Sequence, residues 1–312
     1  KFGISFTATH YNQAGALVHV YSDGSVLLNH GGTEMGQGLF TKVRQVVARE
    51  LGVPVASVRV SGSDTSKVPN ASPTAASSGS DLNGMAARDA CRKLRAALAA
   101  FAARKLGGEP DAITFRDGIV SAGDRSLSFA ELARAAYFAR VPLSATGFYA
   151  TPKVHYDRKT LSGRPFFYYA YGAAVSEVAV DTLTGEHRLL AVDILHDAGA
   201  SLNPAIDRGQ IEGGFLQGWG WLAMEELCWN GRGELTTHAP STYKIPTSRD
   251  WPERVRIDFW PEPNREDTIY RSKAVGEPPF MLALSAFHAL RDAVARVADH
   301  APAPKLDAPA TD

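Results

Sequence analysis

A chain of 312 residues with 45% apolar, 21% charged and 9% aromatic side chains is long enough to bury a core or two and too apolar to be disordered. Its 33 basic and 33 acidic residues cancel, which excludes the basic footprint of a nucleic-acid binder or a membrane-surface protein and points to a small-molecule ligand. The two cysteines, Cys91 and Cys228, lie far apart without a C-x-x-C partner, and no run of about 20 apolar residues or charged leader occurs, so a reducing cytoplasm is expected and a membrane is not. The start at Lys1 within an apolar run, and the Ala/Pro-rich residues 301–312, read as a flexible, solvated tail, suggest a piece of a larger protein.

Along the chain, Leu17-Val18-His19-Val20-Tyr21 and Val26-Leu27-Leu28 flank Asp23-Gly24, which predicts a hairpin. Leu39, Val43, Val46, Val47 and Leu51 recur at helical spacing, with Gly52 where a C-terminal cap belongs. A strand at Val58-Arg59-Val60 follows, then a polar loop, then a long helix carrying Cys91, Leu94, Leu98 and Phe101. A connector holds a hairpin around Asp117-Gly118 and a small helix after the capping-box pair Ser128 and Glu131.

The order then recurs. Residues 174–180 and 189–195 predict a second hairpin, and Asn203-Pro204 open a helix with Ile211, Phe215, Trp219 and Leu222. Val255, Ile257 and Phe259 alternate with charged residues as a half-buried strand, and Leu284, Phe287, Leu290, Val294 and Val297 share one face of a final helix. Two β-β-α-β-α copies predict an α+β fold with helices layered on mixed sheets. The expected division is 1–146 for the first repeat with its connector, 147–300 for the second, and 301–312 for the tail.

The informative residues sit at the starts of the four main helices: Gly31 to Gly38, Ser72 to Ser80, Asn203 to Gln210, and Ser272 to Pro279. Helix N-termini present unpaired N–H groups and a positive dipole end, and Gly, Ala and Ser permit close approach, so four such ends are expected to receive a large anion. No phosphate-loop or dinucleotide fingerprint occurs, and no His/Cys/Asp set stands at metal spacing, so a metal used here must bring its own ligands.

In these segments, together with Phe6-Thr7, residues 12–17, 68–84, 143–149 and 240–246, the chain resembles the xanthine dehydrogenase and xanthine oxidase family of molybdenum hydroxylases. The resemblance runs from Phe2 to about residue 300 and is weakest in the connector. It implies a molybdopterin cofactor whose dithiolene holds molybdenum, contacted by Met35, Gly36, Gln37, Ala75, Ala76, Ser77 and Gln210. Glu277 matches the family's base, which takes a proton from a metal-bound hydroxide as it attacks an electron-poor ring carbon and hydride passes to the sulfido ligand. Burial of that carboxylate would raise its basicity. Phe6 and Thr7 match substrate contacts, an aromatic wall and a hydroxyl, and suggest hypoxanthine or xanthine, while Tyr11 stands where relatives carry an aliphatic channel residue.

The resemblance also implies what lies elsewhere. The 2Fe-2S and FAD domains and the first half of the molybdenum domain have no counterpart in this chain, so those are its expected partners and the isolated chain is expected to be inactive. Two alternatives stand beside this reading: a related hydroxylase for aldehydes or another N-heterocycle, and a non-catalytic assembly module of the same fold.

Overall fold

The computed structural model describes residues 12–68, 71–297, 299 and 304–311. Among them the chain forms two compact units, one of residues 12–167 with 266–270, the other of 168–265 with 271–311.

In the first unit the strands β1 (Gln13–Val20) and β2 (Val26–His30) form the expected hairpin, and helix α1 (Leu39–Leu51) carries the chain over to β3 (Val58–Val60). β3 pairs with β2 in parallel, the arrangement a crossover helix permits and a tight turn cannot. The long α2 (Gly79–Leu106) follows. Leu39, Val43, Val46, Val47 and Leu51 are all buried, as their period requires, and on α2 Cys91, Leu94, Leu98 and Phe101 share one core with Leu39, Val43, Val47 and Leu51. The connector forms the small sheet β4 (Thr114–Arg116), β5 (Ile119–Ala122) and β6 (Arg125–Ser128), then α3 (Phe129–Phe138). The Ser128 hydroxyl accepts from the Glu131 N–H and the Glu131 carboxylate accepts from the Ser128 N–H, so the capping box is complete.

The expected boundary at 146/147 falls inside β7 (Ser144–Ala150), which pairs with β1 from Gln13 to His19 and completes the sheet order β3-β2-β1-β7. The unit therefore continues through the hairpin β8 (His155–Asp157) and β9 (Ser162–Arg164) to residue 167. β7 lies so close to α2 that a Cβ at Gly147 would stand 1.9 Å from the Ala86 carbonyl oxygen. Residues 266–270 return to this unit. Glu266 bridges Lys153 and Arg164, Ile269 is fully buried, and the Tyr270 hydroxyl donates to Glu50 at 2.7 Å beneath the Arg49 guanidinium.

The second unit repeats the pattern. β10 (Gly172–Val180) and β11 (His187–His196) form a hairpin whose turn is closed by Asp181 accepting from the Leu183 and Thr184 N–H groups. α4 (Pro204–Ala223) leads to β12 (Arg254–Phe259), which is parallel to β11. The short α5 (Glu277–Phe280) and then α6 (Leu284–Arg296) take the place of a single last helix. The core holds Ile211, Phe215, Trp219 and Leu222 of α4 against Ile257 and Leu290. On α6 the expected face is only partly used: Leu290 is buried, but Val297 is 70% exposed, because the helix has ended at Arg296.

Residues 304–311 also differ from a solvated tail. Ala310 is 6% exposed, its N–H donates to the Leu222 carbonyl, and its own carbonyl lies 3.1 Å from a His187 ring nitrogen. Open backbone groups at the C-terminal end of α4 explain this, since the segment supplies a donor to one of them.

The two repeats share a buried imidazole at the end of the second strand, His30 on β2 and His196 on β11, exposed by 3% and 1%. Burial pushes each pKa down to about 4, so both rings are neutral at pH 7. The unfolded chain binds protons at these positions near pH 6.5, so stability is full above that value and is lost as pH falls from about 6.5 toward 4. Thermal unfolding followed across this window is expected to show a falling midpoint, and the double variant His30→Leu/His196→Leu a flatter dependence; an unchanged slope counts against the assignment.

Candidate active site

All four helix-start segments leave the C-terminal ends of parallel strands: residues 31–38 follow β2, 61–78 follow β3, 197–203 follow β11, and 260–276 follow β12. Open α/β sheets place ligands at this end of their strands. Within each unit the two segments are therefore neighbours, although far apart in sequence.

In the first unit, Glu34 organises the loop before α1. One carboxylate oxygen accepts from the Gly36 and Gly38 N–H groups at 2.9 and 3.0 Å, and the other from Phe40 at 2.9 Å. Burial acts to raise this carboxyl's pKa, but the backbone donors outweigh it and hold it below the usual range. Gln37 closes the loop on itself, its oxygen accepting from the Met35 N–H and its amide nitrogen donating to the Thr33 carbonyl. Met35 is left 68% exposed, and Gly36 beside it is exposed too.

The second loop docks on β1 and on the first. The Ser72 N–H donates to the Gln13 carbonyl and the Ser72 hydroxyl accepts from the Gln13 N–H. The Thr33 N–H donates to the Thr74 hydroxyl at 2.9 Å, which ties the two loops together. Ala75 is exposed and Ala76 buried. Ala76 and Ser77 both adopt left-handed backbone, with φ of 54° and 57°, a conformation costing roughly 1–2 kcal/mol for each non-glycine residue. Two in succession, held by the surrounding bonds, mark the place where this loop's path is dictated by something other than its own preferences.

In the second unit, Gln210 lies within α4, one turn before Gly214. A Cβ at Gly214 would stand 2.4 Å from the Gly276 carbonyl oxygen, and one at Gly218 2.2 Å from that of Phe280. The glycine face thus lets residues 276–280 lie directly on α4. Glu277 opens α5 with Pro278 and Pro279 buried behind it. The burial expected around Glu277 is absent in this chain, where the residue is exposed. It stands immediately ahead of two buried prolines.

The expectation that the helix starts keep their N–H groups for an anion is corrected at two of the four. Glu34 occupies the start of α1, and at α4 Asn203 accepts from the Ile206 N–H while Asp207 in the first turn accepts from the Ser201 hydroxyl. A carboxylate caps α1, and an amide oxygen caps α4 with an acidic residue in its first turn. The starts of α2 and α5 also carry an acidic residue in the first turn, Asp81 and Glu277, and the uncharged groups left in the first unit's two loops are amides, hydroxyls and small side chains. Among the described residues no group of three or more His, Cys, Asp or Glu could hold a metal ion. This donor set fits a heterocyclic organic cofactor that carries its own metal ligands.

Phe6, Thr7 and Tyr11 lie outside the described residues. Conversely, sequence reasoning passed over Glu34, Thr74 and Asp197. Each stands inside a quoted or adjacent segment, but an acidic or hydroxyl residue beside a helix start does not say which distant N–H it will meet.

The family described as the molybdopterin cofactor-binding domain matches residues 1–252, and the chain belongs to it. It is 49% identical over 294 residues to the xanthine dehydrogenase/oxidase of Felis catus, covering 94% of this chain and 21% of that protein. With the xanthine dehydrogenase of Oryza sativa subsp. japonica it shares 48% over 321 residues, covering 100% and 22%. Among solved structures, quinoline 2-oxidoreductase from Pseudomonas putida 86 matches with a TM-score of 0.79 and 27% identity over 92% of this chain and 36% of that one. The chain thus spans about a fifth of the length of the curated relatives it matches, 21% and 22% for these two.

Replacing Glu34 by Ala removes the cap from three backbone donors at once. A loss of about 1–2 kcal/mol is expected, measured by chemical denaturation, with faster hydrogen exchange at the Gly36, Gly38 and Phe40 amides; protection that persists there would show that the carboxylate does not organise the loop.

Proposed function

We propose that this chain is the C-terminal half of the molybdenum-cofactor domain of a xanthine dehydrogenase-like hydroxylase, a cytoplasmic enzyme of purine catabolism that carries hypoxanthine and xanthine toward urate. The observation that carries this reading is the setting of Glu277, an exposed carboxylate on a segment whose neighbours Ala274, Val275, Pro278 and Pro279 are all buried. A solvated helix-start residue needs no such rigid mount. A proton-transfer group does, because a small displacement removes it from hydrogen-bond reach of its substrate. The names of the relatives, xanthine dehydrogenases at 48–49% identity, support the substrate class.

When bound, the molybdenum cofactor supplies the oxidising power, taking two electrons from the substrate. The chain's own residues bind and move the proton. Met35, Gly36 and Gln37, with Ala75, Ala76 and Ser77, offer the first unit's uncharged contacts to the pterin and its phosphate, and Gln210 offers a side-chain amide from the second. Phe6 stacks on the flat heterocycle and Thr7 bonds its polar edge. Glu277 takes up, at a carboxylate oxygen, the proton released as the new C–O bond forms at the electron-poor ring carbon.

The rest of the molybdenum domain and the 2Fe-2S and FAD domains or subunits are the proposed partners, and this chain alone is proposed to be inactive. A second reading, a hydroxylase for another N-heterocycle, is favoured by the match to quinoline 2-oxidoreductase.

The deciding measurement is turnover of xanthine, quinoline and an aromatic aldehyde by the complete enzyme that contains this chain, with molybdenum content determined alongside. Glu277→Ala is expected to lower kcat for xanthine by at least about 10²–10⁴-fold with molybdenum retained. Undiminished turnover in that variant would remove the base assignment, and a loaded enzyme that ignores xanthine but oxidises quinoline would transfer the substrate assignment to the second reading.

A further inference from the structure

We propose that Lys273 and Asp197 are positioning residues that lock the register of the segment carrying Glu277; the proposal rests on Glu277 being the base.

The run from Arg271 to Val275 is not part of a named strand. It attaches to residues 198–200 through one isolated bridge, Gly199 to Ser272, with the Ala200 N–H donating to the Arg271 carbonyl and the Lys273 N–H to the Ala198 carbonyl. So short a ladder specifies its own register poorly, and a slip of one residue along an extended segment would move Glu277 by about 3.3 Å. A misplacement of about 1 Å can already cost about 10²-fold in rate. The Asn264 N–H and side-chain amide also hold the Arg271 and Ser272 carbonyls, and between these and the packing of residues 276–280 on α4 a side-chain contact at 273 can fix the alignment.

Lys273 is placed to do so. Its ammonium lies 2.5 Å from an Asp197 carboxylate oxygen and donates to the Tyr169 carbonyl at 2.9 Å, with the Tyr171 ring centroid at 5.9 Å. The other Asp197 oxygen accepts from the Gly199 N–H, and the Asp197 N–H donates to the Tyr171 carbonyl. One residue on, the Ala274 N–H donates to the Tyr168 hydroxyl at 2.7 Å. Residues 168–171, 197–200 and 271–274 are thus joined at one charge. A one-residue slip would turn the ammonium to the opposite side of the segment and leave Asp197 buried without it.

Exposure distinguishes this pair from a surface salt bridge. The two side chains are 11% and 13% exposed, whereas each of the other ion pairs among the described residues of this unit has at least one partner 48% exposed or more. A buried pair regains little more than its own desolvation cost, so an apolar pair of similar volume would hold the fold equally well. What an apolar pair lacks is direction. The pair's contribution is therefore to alignment, and the residue aligned four positions on is Glu277.

The test uses the complete enzyme with Lys273→Met, the apolar double variant Lys273→Met/Asp197→Leu, the conservative Lys273→Arg, and Glu277→Ala in parallel. The double variant is expected to keep its thermal midpoint and molybdenum content while kcat for xanthine falls about 10–100-fold, KM changes by less than about threefold, and the kcat–pH profile shifts. Lys273→Met is expected to lose at least as much kcat, and Lys273→Arg to recover most of it. Wild-type kcat and pH profile in the double variant would overturn the proposal, as would a loss of kcat that only tracks lost molybdenum or a lowered midpoint. If Glu277→Ala is inactive while the double variant is normal, the positioning role alone falls; if Glu277→Ala is active, the base assignment falls first and takes this proposal with it.

Discussion

Two parallel strand pairings, β2 with β3 and β11 with β12, constrain where everything else in each unit can go. Parallel neighbours cannot be joined by a turn, so α1 and α4 must return the chain across the sheet. Each parallel pair then ends on the same side, and the loops that leave it emerge together. Thr33 can reach Thr74, and Asp197 can reach Lys273, for this reason alone. The chemistry assigned to this chain sits where these exits meet, and the antiparallel partners β1, β7 and β10 serve to complete the sheets.

At those exits the backbone leaves its ladder and its polar groups need other partners. The chain answers with acidic, amide and hydroxyl side chains: Glu34 for three N–H groups, Ser72 for Gln13, Asn203 for Ile206, Asp197 for Gly199 and the Lys273 ammonium. The loops are therefore rigid before any ligand arrives, which keeps the cost of ordering out of binding. The same economy explains the correction at the helix starts. Glu34 and Asn203 already hold N–H groups of α1 and α4, so those two helix ends are not bare dipoles. The paired left-handed residues Ala76 and Ser77 carry the strain that this rigid path demands.

The two units use the same topology to different ends. In the first, hydrogen bonds centred on the Glu34 carboxylate and the Gln37 amide hold the loop that exposes Met35 and Gly36. In the second, a buried ion pair and a glycine-faced helix mount one exposed residue, Glu277. A contact surface and a single acid–base group have different tolerances, since binding averages over many small contacts while proton transfer depends on one distance. The more directional interaction, the Lys273–Asp197 pair, stands on the side that carries Glu277.

Local pattern was enough to read most of the elements from the sequence. The alternation of Val255, Ile257 and Phe259, the spacing of Leu39 to Leu51 and the Ser128–Glu131 capping box all act within a few residues; with the duplicated element order they made the α+β class legible, and the long matched segments disclosed the family. Tertiary structure alone decided matters that depend on distant partners. Strand β7 joins β1 and carries the first unit to residue 167, Ala310 fills the open end of α4, and Glu277 stands exposed in this chain where burial was expected. Sequence shows a residue's type and its immediate neighbours; which carbonyl, carboxylate or core surface comes within about 3 Å of it is set by how helices and sheets pack, and no local period encodes that distance.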